Sequence, residues 1–97
     1  MRIAWLPRAT RDLESIVVYL LDHDRGAARR MNETIRSRVA LLAEQPALGR
    51  AGRIPNTRER IIGGTPYIVA YTVDRRRDVV IVLRVLHGAR RWPSILP

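Results

Sequence analysis

The spacing of apolar residues changes along the chain from that of a helix to that of a strand. Between about residues 10 and 45 apolar residues recur three and four positions apart, whereas from residue 58 onward they alternate with polar residues or form short unbroken runs. Residues 46–57, with two glycines and two prolines, lie between these regions and predict a loop without regular structure. Helices followed by a block of strands predict an α+β domain.

The helical region divides into two amphipathic helices. The first begins at about Thr10, and its apolar stripe consists of Leu13, Ile16, Val17, Leu20 and Leu21. After the polar residues 22–26 the pattern resumes and runs to about Gln45, with Ala28, Met31, Ile35, Val39 and Leu42 as its apolar stripe. Because the linker is so short, the two helices are expected to be antiparallel neighbours that each bury one face against another layer.

Four strands are expected to form that layer. One strand precedes the helices at residues 2–6, and three follow the loop at residues 58–62, 67–73 and 79–86. The last strand is apolar at both parities, which is typical of a central strand, so the N-terminal strand is expected to pair with it. This order predicts an antiparallel helical hairpin packed on a four-stranded, mostly antiparallel sheet. The expected core consists of Leu13, Ile16, Val17, Leu20, Met31, Ile35, Leu42, Val69, Ile81 and Leu83.

Charge is the compositional feature that bears most on the partners of the chain. The 97 residues carry 18 basic and nine acidic side chains, giving a net charge of +9, and every basic residue is arginine. Such a field attracts nucleic acid, anionic membranes and acidic proteins alike. No apolar run is long enough to cross a bilayer, and Pro7 interrupts any secretory signal. A single domain spanning residues 1–97, located in the cytoplasm and not in a membrane, is expected.

Several classes of site are not expected. The chain has two histidines and no cysteine, so a zinc site would need both histidines and carboxylates from distant segments. Neither a phosphate-binding Walker loop nor a nucleophile elbow is present in the sequence. No metal and no cofactor are therefore expected.

A cluster at the C-terminal end of the last strand contains the chemically most informative residues: Arg84, His87, Arg90, Arg91 and Trp92. Arg84 interrupts an apolar strand, so it must reach solvent, an acidic partner or a groove, because an unpaired buried charge is unfavourable. His87 could act as a general acid or base, although a capping or core-edge role is favoured. Arg90, Arg91 and Trp92 could hold a phosphate and stack on a base, or could anchor the tail.

A second basic cluster lies in and after the loop and consists of Arg50, Arg53, Arg58 and Arg60. Glycines at positions 49 and 52 would let backbone amides approach an anion, but a single Gly-x-x-Gly is a weak signal. Taken alone, this cluster is typical of a solvated loop.

Five motifs, in this order, carry a resemblance that covers nearly the whole chain. They are Asp12-Leu13-x-x-Ile16-x-x-Tyr19, Leu42-Ala-Glu-x-Pro46-x-Leu48-Gly49-Arg50, Arg58-Glu59, Tyr67-x-Val69-x-Tyr71 and Val85-Leu-His87-Gly-Ala-Arg90-Arg91-Trp92-Pro93. Together they resemble the toxins of the RelE/ParE superfamily of type II toxin–antitoxin systems. The resemblance implies a toxin held in a hetero-oligomer by a cognate antitoxin, a small, acidic and partly disordered protein that suits the positive charge.

The resemblance leaves two targets open. RelE-like toxins cleave messenger RNA in the ribosomal A site, and in that case His87, Arg84 and Arg90 would be the catalytic residues. ParE-like toxins are associated with inhibition of DNA gyrase and have no established catalytic site. In either case the expected target- or nucleic-acid-binding residues are Arg58, Arg60, Arg84, Arg90, Arg91 and Trp92. The compact ending and the stretch from Arg58-Glu59 to Tyr71 are more similar to ParE-type chains, and the lysines of typical RelE toxins are absent, so gyrase inhibition is the leading expectation.

Overall fold

A computed structural model describes residues 1–93 of the chain. Its elements are β1 (Arg2–Trp5), α1 (Pro7–Leu21), α2 (Arg25–Ala40), β2 (Arg50–Ala51), β3 (Arg58–Ile61), β4 (Tyr67–Asp74) and β5 (Val79–His87), with 3₁₀ turns at Leu41–Ala43 and Pro46–Leu48. The strand order is β1-β5-β4-β3-β2, in which β1 is parallel to β5 and the other pairs are antiparallel. The α+β class, the helical hairpin and the pairing of the first strand with the last are confirmed.

The sheet has five strands rather than four, because β2 lies in the segment that was expected to have no regular structure. Tyr71 holds the start of this segment: its hydroxyl donates to the carbonyl oxygen of Pro46 at 2.7 Å and accepts the Gly49 N–H at 2.8 Å. A Cβ at Gly49 would lie 2.6 Å from that hydroxyl oxygen, so only glycine fits. The Gly52 N–H then donates to the carbonyl oxygen of Thr57 at 2.8 Å and closes the turn to β3.

The helix ends differ from the expected positions for identifiable reasons. Helix α1 begins at Pro7 rather than Thr10, because the missing N–H of proline is tolerated in the first turn of a helix. The side chain of Asp24 caps α2 by accepting the Ala27 N–H at 3.1 Å. Beyond Ala40 the backbone tightens into a 3₁₀ turn, so the regular part of α2 ends several residues earlier than expected.

The main core lies between the helical hairpin and one face of the sheet. Its buried residues are Ala9, Leu13, Ile35, Val39, Ile62, Val69, Val82 and Val85. Half of the expected core residues are buried, namely Leu13, Ile35, Leu42, Val69 and Leu83. The other half are only partly buried, namely Ile16, Val17, Leu20, Met31 and Ile81. Three of these, Ile16, Val17 and Met31, pack against the buried cluster from its margin, where solvent reaches the helix stripe.

A β-bulge in β5 changes which of its residues face the helices. Ala70 of β4 lies opposite Arg84, and the next residue, Tyr71, lies opposite Val82. Leu83 is therefore an extra residue in β5. Val82 and Val85 therefore both join the core beneath the helices, although simple alternation would put them on opposite faces. Simple alternation would therefore assign the residues of β5 beyond this point to the wrong face.

Candidate functional site

A groove of about 600 Å³ runs between α1 and the C-terminal end of β5. It is lined by five of the seven candidate site residues, namely Arg84, His87, Arg90, Arg91 and Trp92. Arg58 and Arg60 lie on β3 and do not line it. The structure thus brings together the C-terminal cluster and separates it from the two arginines of β3.

Arg84 is paired with an acidic residue of α1 that the sequence analysis did not connect with it. Its Nε and Nη2 donate to the two carboxylate oxygens of Asp12 at 2.8 and 3.0 Å, and both side chains are mostly buried, at 15% and 17% exposure. The hydrogen bond to Asp12 raises the pKa of Arg84 above its ordinary value, although burial opposes this. The charge of Arg84 is therefore already neutralised within the chain.

Asp12 lies beside the part of β5 that β1 does not cover. The Leu6 N–H donates to the carbonyl oxygen of Val82 at 3.0 Å, and β5 continues beyond this point without β1 beside it. Asp12 accepts the Val85 N–H at 2.9 Å, so one carboxylate satisfies both this exposed edge of β5 and the Arg84 side chain.

His87 lies in the groove with one ring nitrogen already engaged. Its Nδ1 accepts the Ala89 N–H at 3.1 Å, and its ring meets the ring of Tyr67 edge to face at 5.8 Å between centroids. With Nδ1 as an acceptor, the neutral imidazole carries its proton on Nε2. This tautomer presents Nε2–H as a hydrogen-bond donor, whereas accepting a proton at Nδ1 would require breaking the bond to Ala89.

Residues 88–93, called the C-terminal segment below, form the rim of the groove. The Gly88 N–H donates to the carbonyl oxygen of Pro66 at 2.8 Å, and the Arg90 N–H donates to that of His87 at 3.1 Å. The side chains of Arg90 and Arg91 are exposed, and neither forms an ion pair within residues 1–93. These guanidinium groups are the charges of the groove that remain available to a partner.

A buried carboxylate organises the opposite side of the C-terminal segment. Glu59 is 3% exposed and accepts hydrogen bonds from Arg50 and Arg53, with its shortest bond to the Arg53 N–H at 2.8 Å. Burial raises the pKa of Glu59, but the hydrogen bonds from Arg53 and Arg50 outweigh it and hold the pKa below its ordinary value. The Arg53 guanidinium also stacks on Trp92, with its central carbon 3.6 Å from the ring centroid. The sequence analysis named Glu59 only within the Arg58-Glu59 motif and Arg53 only within the second basic cluster, because nothing in the spacing links these residues to each other or to Trp92.

Arg58 and Arg60 lie on β3, on the same face of the sheet as Tyr71 of β4. Arg58 donates to the carbonyl oxygen of Gly49 at 2.8 Å, so it stabilises the loop before β2. Burial raises the pKa of the Tyr71 hydroxyl, although the hydrogen bond from Gly49 and both arginines oppose it. The Nε of Arg60 is buried without a hydrogen-bond partner among the described residues.

An exposed apolar surface on α1 adjoins the groove. Val18 and Tyr19 are 59% and 63% exposed, and Tyr19 also lines the groove. Leu21, which the helical spacing placed in the apolar stripe, is 48% exposed. This surface provides apolar area beside the basic rim.

No group of three or more histidine, cysteine, aspartate or glutamate side chains within residues 1–93 could hold a metal ion. None of the helices described is both long and apolar enough to span a membrane.

Comparison with known proteins identifies relatives over nearly the full chain. A family model described as the ParE toxin of the type II toxin–antitoxin system parDE matches residues 3–92. The putative toxin Y4kP of Sinorhizobium fredii (strain NBRC 101917 / NGR234) is 44% identical over 95 residues, which cover 98% of this chain and 96% of that protein. Toxin RelE3 of Caulobacter vibrioides (strain ATCC 19089 / CIP 103742 / CB 15) is 36% identical over 87 residues, with 88% and 91% covered.

A solved structure shares the fold. It is described as the chromosomal ParDE TA system from P. aeruginosa, and the similarity has a TM-score of 0.78 and covers 90% of this chain and 95% of that one. At 21% sequence identity this similarity concerns the fold alone.

Proposed function

Because this chain belongs to the ParE toxin family of type II toxin–antitoxin systems, we propose that it arrests bacterial growth by inhibiting DNA gyrase. It would do so in the cytoplasm, where gyrase meets chromosomal and plasmid DNA. A cognate antitoxin would neutralise it by forming a hetero-oligomer.

The observation that carries this proposal is which polar groups of the groove are already bonded within the chain and which are not. Arg84 is neutralised by Asp12, and His87 has its Nδ1 engaged, so two of the three residues expected to act in RNA cleavage are already committed within the chain. The available charges, Arg90 and Arg91, lie exposed on the rim. Exposed guanidinium groups beside an apolar surface suit binding to a macromolecule more than acid–base catalysis.

The test compares both targets with one preparation of purified toxin. In one assay the toxin is added to gyrase and relaxed plasmid DNA, and supercoiling and trapped cleavage complexes are measured. In a parallel assay it is added to translating ribosomes, and messenger cleavage at the A site is measured. Inhibited supercoiling with intact messenger is expected. Codon-phased cleavage with unaffected gyrase would contradict the proposal.

The alternative is a ribosome-dependent endoribonuclease of the RelE type. Two curated relatives are named RelE toxins, and His87 lines the groove with the tautomer that donates from Nε2. If this alternative holds, His87→Ala should reduce messenger cleavage by orders of magnitude while the fold survives. For a gyrase inhibitor, losses should instead be graded across the surface formed by Arg90, Arg91 and Trp92.

The proposed antitoxin is small, acidic and partly disordered before binding. The toxin's net charge of +9 favours such a partner, and the exposed Val18 and Tyr19 offer apolar area to a segment that folds on binding. Expression of the toxin without this partner should arrest bacterial growth, and co-expression should restore it. Normal growth of several bacterial hosts that accumulate the soluble, folded toxin would contradict the proposal.

A further inference from the structure

Arg53 links a buried carboxylate of β3 to the aromatic side chain of the C-terminal segment. Its Nε donates to Oε2 of Glu59 at 3.0 Å, and its guanidinium carbon lies 3.6 Å from the centroid of the Trp92 ring. Trp92 in turn donates its indole N–H to the carbonyl oxygen of His87 at 3.2 Å. These contacts form a continuous chain from β3 to the end of β5.

The register of the sheet places Glu59 on the same face as residues of β4 and β5. Glu59 lies opposite Ala70 of β4, and Ala70 lies opposite Arg84 of β5, so these three side chains share one face of the sheet. Ala70 contributes only a methyl group and is fully buried. On this face of the sheet only the methyl group of Ala70 separates Glu59 from β5.

A second arginine binds the same carboxylate but does not reach the C-terminal segment. Arg50 donates from Nη2 to Oε1 of Glu59 at 3.0 Å, and within residues 1–93 only Arg53 stacks on Trp92. The two arginines therefore share the task of neutralising Glu59, and Arg53 alone has the additional contact. This difference provides a matched comparison within the molecule.

We propose that Arg53 is a positioning residue that holds Trp92, and with it Arg90 and Arg91, at the rim of the groove. Arg90 and Arg91 have no ion pair within residues 1–93 to fix them, so their placement depends on the contacts of the segment that carries them. The stack supplies a planar surface whose orientation Glu59 fixes. The inference rests on the proposed function only in taking Arg90 and Arg91 as target-binding residues.

The experiment compares Arg53→Lys with Arg50→Lys in the full chain. Lysine keeps the positive charge beside Glu59, but its compact ammonium cannot bind the carboxylate and cover the indole face in the way that a planar guanidinium does. Order in the segment is measured in two ways: by the rate of trypsin cleavage after Arg91 relative to cleavage in the turn after β4, and by the indole N–H resonance of Trp92, assigned with Trp92→Phe. Denaturation curves establish that each variant is folded.

Arg53→Lys should increase relative cleavage after Arg91 about three- to tenfold, the range expected for losing a partly desolvated cation–π contact. It should also shift the Trp92 indole resonance, whereas Arg50→Lys should change neither. Unchanged cleavage and resonance in Arg53→Lys would overturn the proposal. Equal effects of the two variants would overturn it as well, because they would indicate a general loss of the Glu59 network.

The consequence for activity is measured separately, so that failure of the proposed function can be recognised. Arg53→Lys should raise the toxin concentration that half-inhibits gyrase about three- to tenfold, and Arg50→Lys should leave it unchanged. A mobile Trp92 with full inhibition would overturn the functional part of the proposal, because the placement of Arg90 and Arg91 would then not matter for the target. If the wild-type protein does not affect gyrase, the proposed function fails. In that case the rate of cleavage after Arg91 and the Trp92 indole resonance still decide whether Arg53 holds the C-terminal segment.

Discussion

Asp12 carries two structural tasks at once, since it pairs with Arg84 and accepts the Val85 N–H. Asp12→Ala should lower the free energy of unfolding by about 2 to 4 kcal/mol, because it leaves a mostly buried guanidinium and a backbone N–H without partners. Adding Arg84→Met should recover part of this loss, since replacing both members of a buried ion pair is often neutral. Urea denaturation of the single and double variants measures both effects.

A surface ion pair provides the control for this prediction. Arg30 lies 4.0 Å from Asp24 with both side chains largely exposed, so Arg30→Ala should change the stability by less than about 1 kcal/mol. A similarly small effect of Asp12→Ala would show that the pair with Arg84 contributes no more than an exposed one.

Glu59 should make the stability of the domain depend on acid pH. Folding lowers its pKa from the ordinary value of 4.5, so its contribution is fully present above that value and is lost as the pH falls through the folded-state pKa. Glu59→Gln should lower the free energy of unfolding near neutral pH by about 1 to 3 kcal/mol and flatten its decline in acid. Urea denaturation between pH 3 and 7, roughly the range where carboxylates titrate, measures this. Glu33→Gln, an exposed carboxylate on α2, is the control. Parallel profiles for wild type and Glu59→Gln would contradict the prediction.

At the scale of single residues, the sequence identified charges better than it identified their partners. An arginine inside an apolar strand already required a partner, and the structure supplies Asp12, which is 72 positions away in the chain. The pairing of Glu59 with Arg53 spans a turn, and no periodic pattern marks it. Contacts of this kind depend on three-dimensional placement, so residue spacing alone could not have found them.

Asp24, in the turn between the two helices, caps α2, and substitution of this residue tests the cap. Asp24→Ala removes the side chain that accepts the Ala27 N–H and should cost about 1 kcal/mol. This corresponds to a fall in the melting temperature of about 4 to 8 °C for a domain of this size. Asp22→Ala, in the same turn but without a capping bond in the structure described, should have a smaller effect. Equal shifts of the two melting temperatures would show that the cap does not govern the helix.

At the scale of elements, the apolar spacing predicted the helices and the longer strands. It did not predict features that depend on only one or two residues. The two helices and the three longer strands of the second half follow the apolar pattern. Strand β2 has two residues and is held by loop contacts, and the bulge at Leu83 inserts one residue, so neither leaves a repeat to detect. The bulge nevertheless determines that Val82 and Val85 both enter the core.

At the scale of the whole molecule, charge and apolar surface should control different steps of antitoxin binding. The net charge of +9 acts over distance and would steer the acidic antitoxin proposed above, whereas Val18 and Tyr19 would contribute only after contact. Raising the salt concentration from about 0.1 to 1 M shortens the screening length from about 10 to 3 Å. The association rate should therefore fall on the order of tenfold or more, while the dissociation rate changes less than about threefold.

A variant of the apolar surface separates the two contributions. Tyr19→Ser should accelerate dissociation at every salt concentration, because it removes apolar contact area without changing the net charge, and the salt dependence of association should match that of wild type. Stopped-flow and surface-plasmon measurements on the toxin and its cognate antitoxin give both rates. Dissociation that rises with salt as steeply as association falls would mean that the complex is held by charge alone, and the exposed apolar residues of α1 would then not contribute to it.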